Sequence, residues 1–359
     1  MTALLPPIRT DVLVIGAGPV GLYQAFQLGL LGLDAHVIDT LPQVGGQCHA
    51  LYADKPLYDI PAISNCTGAE LAQKLLQQLA QIQAFAPLAQ RLHLGQLVEE
   101  IAPQGDGRYW VSSTQGRRFD CAAIVIAAGV GAFVPRSLNI EGLAALADYV
   151  HHQPVDLVAL QDQDVLIVGD DDAAVGWACS VAEQGAARSV VLNHRRESLN
   201  ISAAMQARLE VQLKSSQLQF KPGVVQSLEE GAPTQGRPSL QAIHIMQADG
   251  SGLRLPCTRL GLLLGVSPKM GPISTWGLDM QRKQIAVDTA RFATSQPGIF
   301  AVGDINHYAG KQKLIACGFH EATLAAHAAL AYCYPERVGP LQYTTSSALL
   351  QQRLGKTAA

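Results

Sequence analysis

A Cys-x-x-Cys pair is missing from this chain, although it has seven cysteines: Cys48, Cys66, Cys121, Cys179, Cys257, Cys317 and Cys333. Their wide separation signals neither a zinc site nor a local redox dithiol. An odd count in a chain of 359 residues suits a reducing cytoplasm. Charge is scarce too, with 15% charged residues and a net charge of −3. That balance argues against nucleic acid or an acidic membrane surface as the main partner. The one long apolar stretch, Val12 to Leu33, holds five glycines and a proline and follows Arg9 and Asp11. A strand, turn and helix explain those glycines better than a signal peptide or a membrane anchor does, so a soluble protein is expected. What remains is a Gly-rich chain, 48% hydrophobic, long enough for two or three α/β domains with sizeable cores.

The first informative stretch is DVLVIGAGPVGLYQAFQLGLLGLDAHVID. A β-rich run, Val12 to Ile15, leads into Gly16-x-Gly18-x-x-Gly21, with Pro19 and Val20 opening a pattern of helical length. A second short run, Ala35 to Ile38, ends at Asp39. This is the dinucleotide fingerprint in its required context. Gly16 allows the tight turn, Gly18 lets the backbone approach a pyrophosphate, and Gly21 lets the helix pack on the strand. The helix N-terminus offers free N–H groups and the positive end of its dipole to the phosphates. Asp39 is placed to accept hydrogen bonds from an adenosine ribose. Two further segments resemble those of FAD-binding proteins of the two-dinucleotide superfamily. Gly45, Gly46 and Gln47 stand where such chains continue along the flavin, and Asp304, in PGIFAVGDI, stands where the ribityl chain is bonded.

A second strand–helix–strand unit follows about 150 residues later: DVLIVG ending at Gly169, then DDDAAVGWACSVAEQG, then SVVLNHRRE. Where the first unit has Asp39, this one has Arg195 and Arg196, which accommodate a ribose 2′-phosphate and favour NADP over NAD. Asp170 and Asp171 stand in the way. Each carboxylate beside a pyrophosphate repels it by about 1 kcal/mol in water and about 4 kcal/mol at an effective dielectric near 20. The same aspartates could instead cap the helix, filling the anion position from within the chain. The two arginines favour NADP binding at reduced affinity.

Together these residues resemble the thioredoxin-reductase-like (type 2) ferredoxin or flavodoxin–NADP reductases. The resemblance spans nearly the whole chain and is carried by GAGPVGLYQAF, GGQCHALYADKPLYDIPA, LLLGVSPKMGPISTWGL, PGIFAVGDI, GKQKLIACGFHEATLAAHAAL and YTTSS. It implies a homodimeric flavoprotein with two Rossmann-like domains, the NADP domain inserted in the FAD domain. By resemblance, flavin contacts fall to Gly16, Gly18, Asp39, Gln47, Tyr52, Val98, Phe133, Asp304 and Thr345. Tyr52 would stack on one face of the ring, and the C-terminal tail would cover the other. Some members carry a histidine just before the Ser/Thr cluster, where Tyr343 stands here. Thioredoxin reductases need the absent Cys-x-x-Cys, and glutathione-reductase-like enzymes need a cysteine at position 53, which is Ala53. Disulfide reduction is therefore not expected.

The buried run AAIVIAAGVGAFVPR marks a crossing near residue 131, and LGLLLGVSPKMGP a return near 265. The FAD domain is thus expected at 1–131 and 266–359, around an NADP-binding-like domain at 132–265. EEGAPTQGRPS, residues 229–239, reads as an exposed hairpin loop. The resemblance implies hydride exchange between NADPH and FAD, then one-electron transfer to a ferredoxin or flavodoxin. No protein acid or base is required and no metal is expected. Lys269, Arg282, Lys283, Lys311 and Lys313 are candidate docking residues for an acidic carrier, and His49, His307 and His320 are expected to be structural. Two alternatives stay open: a diaphorase or quinone-type flavin reductase, and a degenerate FAD-binding redox module with impaired NADP binding.

Overall fold

The computed structural model describes residues 6–234 and 237–356; the side chains of Phe133, Thr234, Arg237 and Pro268 lie outside that description. The chain divides into two compact units, residues 1–133 with 268–359, and residues 134–267. Each crossing falls two residues beyond the position expected from sequence.

In the first unit, strand β1 (Ile8–Ile15) leads into helix α1 (Pro19–Leu30) and strand β2 (Ala35–Ile38). The inner halves of both strands are wholly buried, as befits parallel strands covered on both faces. They pair in parallel, with Val12 opposite Ala35 and Ile15 opposite Ile38. Proline at the first position of α1 gives up an N–H that would have had no partner. Helix α2 (Gly68–Leu79) starts with a reciprocal cap between Thr67 and Glu70. Strands β3 (Leu92–His93), β4 (Val98–Pro103), β5 (Tyr109–Ser113) and β6 (Arg118–Ile126) extend the sheet in the order β3-β2-β1-β6-β5-β4.

The second unit repeats the first motif with strand β7 (Asp164–Val168), helix α3 (Asp172–Glu183) and strand β8 (Ser189–Asn193). Helix α4 (Ala203–Lys214) follows. The long strands β9 (Val224–Thr234) and β10 (Arg237–Met246) then form an antiparallel ribbon with β11 (Gly252–Pro256), and β12 (Arg259–Leu262) returns beside β7 in parallel. Here one expectation is corrected. Residues 229–234 and 237–239 are strand rather than loop, pairing Glu229 with Ala242 and Gly231 with Ser239. The segment is a hairpin as expected, with Thr234 paired to Arg237, but most of it is strand: register shifts after Glu229 and after Gly231 keep the glycine and Pro233 within β9.

Back in the first unit, strand β13 (Ile299–Ala301) pairs with β6, and the long helix α5 (Ile315–Cys333) lies against α1. Ala322, Ala325, Ala326 and Ala329 are fully buried on α5 and let the two helices approach closely. Helix α6 (Ala348–Arg353) is the last described helix, and Arg353 donates to the carbonyl of Leu30 at the end of α1.

Candidate functional site

The glycines of the first turn have different physical reasons to be glycine. Gly16 has φ +116°, and a Cβ there would lie 2.4 Å from the Ala127 carbonyl oxygen. At Gly21 a Cβ would fall 1.8 Å from the Gly16 oxygen. The fold itself forbids a side chain at both. Gly18 differs: its backbone is extended, and a Cβ would meet nothing nearer than the Gly46 Cα at 3.8 Å. The protein does not need glycine there, yet the missing methyl leaves a hollow over the N-terminus of α1. No side chain caps that terminus, so its first N–H groups stay available to an anion.

This hollow is one end of a cleft of about 1050 Å³, open mouth included. Gly16, Gly18, Pro19, Val20, Asp39, Gln47, Tyr52, Val98 and Asp304 all line it. Asp39, at the end of β2, accepts the Ala17 N–H at 2.5 Å and the Leu41 N–H at 2.8 Å, so it braces the glycine turn. Burial raises its carboxyl, opposed by those two N–H groups. A carboxylate with spare lone pairs that burial penalises gains from further hydroxyl donors. The N–H of Gly45 donates to the Ala17 oxygen, and Gly46 lies against Gly18, which places the two glycine segments backbone to backbone. Gln47 Nε2 donates to Asp304 Oδ2 at 3.2 Å across 257 positions of sequence. Tyr52 is half-buried, and its hydroxyl accepts from Cys48 Sγ at 3.5 Å. Burial pushes both groups up, so neither ionises near neutral pH.

These features fit a dinucleotide: an open anion cradle, a carboxylate at the end of β2, and a second carboxylate with an amide further along. Sequence reasoning missed part of the wall. Gln96, Leu97, Met270, Ile273, Trp276, Lys313 and Ile315 also line the cleft. GPISTWGL was the available signal, but nothing in its spacing points Ile273 and Trp276 inward. Three expected residues are not among the lining. Gly21 serves packing, Thr345 is exposed in the tail, and the Phe133 side chain lies outside the described residues. None of His49, His307 and His320 lines the cleft.

The expected basic docking group is also corrected. Lys269, Arg282, Lys283 and Lys313 are exposed, but Lys311 is only 5% exposed and pairs with the fully buried Glu321 at 2.5 Å. That carboxylate also accepts from the Gly303 N–H at 2.7 Å, Asn306 Nδ2 at 2.8 Å and the Tyr308 hydroxyl at 2.9 Å. Burial and this bond to Glu321 push the Tyr308 phenol up to about 12.

In the second unit the corresponding turn is closed from within. Gly169 is again required by packing, since a Cβ would lie 2.7 Å from the Leu263 oxygen. Asp171 takes the place that Gly18 has in the first unit, and its carboxylate accepts the Ala174 N–H at 2.9 Å. It therefore sits on the N-terminus of α3, where a pyrophosphate would bind. Asp172 turns away to accept the Ser202 N–H at 2.7 Å, and Asp170 lies 3.6 Å from His194 Nε2. Arg195 and Arg196 are exposed just past β8, without ion-pair partners among the described residues. The seven cysteines are all free thiols. No described helix is long and apolar enough to cross a membrane.

Residues 10–329 match the family model described as pyridine nucleotide-disulphide oxidoreductase. The chain is 50% identical to a ferredoxin–NADP reductase of Leptothrix cholodnii, covering 97% of this chain and 92% of that protein. It is 46% identical to a ferredoxin–NADP reductase of Albidiferax ferrireducens, covering 97% and 96%. Among solved structures, a thioredoxin reductase from Gloeobacter violaceus shares the fold at a TM-score of 0.54 and 17% identity, over 94% of this chain and 98% of that one. With its glycine turn, paired carboxylates and mixed α/β units, the chain belongs to the pyridine nucleotide-disulphide oxidoreductase family and, within it, groups with the ferredoxin–NADP reductases.

Proposed function

We propose that this oxidoreductase passes electrons between NADPH and a small one-electron carrier, a ferredoxin or a flavodoxin. Its cofactors are FAD and NADP(H), as membership of this family implies. The observation that carries the reading is the uncapped N-terminus of α1 beneath the empty Gly18 position, in a cleft that also holds Asp39 and Asp304. The N–H groups of α1 hold the pyrophosphate, and Asp39 accepts from the adenosine ribose. Gln47 and Asp304 bond the polyol chain, while Tyr52 and Val98 flank the ring. Phe133 and Thr345 complete the contacts by resemblance, with the exposed tail supplied across a homodimer. Bound FAD would supply the exchange between two-electron and one-electron chemistry that lets a nicotinamide serve a one-electron carrier. No ionisable side chain of the cleft has to move a proton; Tyr52 and Cys48 stay neutral and fill space.

The second unit is the NADP site of this reading, with Arg195 and Arg196 on the 2′-phosphate and Gly169 in the turn. A degenerate flavin module has one specific observation in its favour, the Asp171 carboxylate on the N-terminus of α3. Anaerobic titration with NADPH and, separately, NADH separates the two readings. Bleaching of the flavin band by NADPH at lower concentration than by NADH, followed by reoxidation on adding oxidised ferredoxin or flavodoxin, supports the reductase. A flavin bleached by dithionite but by neither nucleotide would leave only the module. Reoxidation by quinones and not by the carriers would point to a diaphorase. A cytoplasmic location belongs to the same reading, supported by the odd number and wide separation of the cysteines.

A further inference from the structure

The buried Glu321 has no part in the reading above, yet it is the most heavily bonded carboxylate beside the cleft. It lies on α5 among alanines that pack with bare Cβ atoms, so helix packing alone gives no reason for a charge. Burying a carboxylate is costly unless every lone pair finds a donor, and an apolar residue of similar size usually serves stability as well or better. All four of its donors come from one segment, residues 303–311: the Gly303 N–H, Asn306 Nδ2, Tyr308 Oη and Lys311 Nζ. Lys311 Nζ also donates to the Gly303 carbonyl at 2.9 Å, so both backbone polar groups of Gly303 are tied to this ion pair. Gln284 Nε2 holds the next carbonyl, that of Asp304, at 3.0 Å. The side chain thus left to face the cleft is Asp304, with Gln47 as its partner.

We propose that Glu321 is a positioning residue: it clamps the Gly303–Asp304 turn onto α5 and so sets where the Asp304 carboxylate meets the hydroxyls of the bound polyol chain. The inference rests on the flavin reading of the cleft. Gly303, at φ +78°, has no side chain to anchor the turn, and the ion pair supplies that anchor.

The test is a double-mutant cycle on FAD affinity, read by quenching of FAD fluorescence on rebinding to flavin-free protein. The variants are Glu321→Gln, Asp304→Asn and the double variant. Each single change is expected to weaken FAD binding by about tenfold, and the double by little more than either, because removing the clamp already forfeits the Asp304 contact. The visible circular dichroism of the bound flavin should change alike in both single variants, which a loss of general stability would not produce. If Glu321→Gln binds FAD within about twofold of the wild type, or the two effects multiply to about a hundredfold, the positioning role is overturned. If Glu321→Gln does not fold, the neutral pair Glu321→Gln with Lys311→Met keeps the question open to test. That variant should fold and bind FAD weakly, and wild-type affinity in it would overturn the role. A wild-type protein that fails to bind FAD would overturn the flavin reading itself.

Discussion

Removing the charge of Asp171 should tighten NADPH binding. Its carboxylate caps α3 through the Ala174 N–H and occupies the position that Gly18 leaves free in the first unit. Two unit charges 4 Å apart interact by about 1 kcal/mol in water and about 4 kcal/mol at an effective dielectric near 20. Asp171 is half-buried, so a repulsion of about 1–2 kcal/mol is reasonable, or about 5- to 30-fold in affinity. Asp171→Asn is the clean perturbation, because asparagine caps a helix about as well as aspartate and only the charge is lost. Calorimetric titration of the oxidised, FAD-loaded protein with NADP, which cannot reduce the flavin, gives the dissociation constant. The gain should shrink as salt is raised from low to about 0.5 M, since screening weakens the repulsion that the substitution removes. Asp171→Gly, which costs a few tenths of a kcal/mol in capping, should show a similar gain. An affinity in Asp171→Asn within about twofold of the wild type, or weaker, would refute the reasoning: the nucleotide would then bind away from the α3 terminus.

Gly18→Ala should keep or slightly raise thermal stability while weakening FAD binding, because its Cβ fits the protein but fills the cradle; Gly16→Ala, at φ +116°, should destabilise by about 2 kcal/mol or more in a denaturant melt. Replacing Arg195 and Arg196 together by serine should raise the KM for NADPH by at least about tenfold and leave that for NADH nearly unchanged, in steady-state diaphorase assays. Stability should also fall with acid through His36 and His93, a stacked and hydrogen-bonded buried pair beside Arg91. Burial, then Arg91, lowers His36 from 6.5 to about 4, and burial, then Arg117 and Arg91, lowers His93 likewise. Since the folded values lie below the unfolded ones, the neutral pair stabilises the fold above pH 6.5, and this contribution is lost as pH falls toward 4. The loss should reach about 2–4 kcal/mol in urea titrations between pH 7 and 4, and His93→Gln should flatten the slope by at least about 1 kcal/mol.

Much of the first site was legible because its constraints are local. The glycine spacing, the strand ending at Ile38 and the carboxylate after it all sit within one continuous stretch, where backbone geometry leaves few alternatives. The hairpin of β9 and β10 was legible but its length was not, because bulges let Gly231 and Pro233 stay in a strand although their composition signals a turn. Lys311 was misjudged for a related reason: a lysine near the end of a loop gives no local sign that a carboxylate ten positions later will draw it inside.

By itself, then, the order of residues determined two strand–turn–helix units, each opening on a glycine, and the absence of a Cys-x-x-Cys pair. These follow from spacing and from which residue types are present or missing. Only the tertiary structure decided which of three consecutive aspartates turns inward as a cap, which lysine is lost to the surface, and that Gln47 meets Asp304. The physical reason is that the direction a polar side chain takes depends on which distant donors and acceptors packing brings within about 3 Å, and a linear pattern holds no record of that distance.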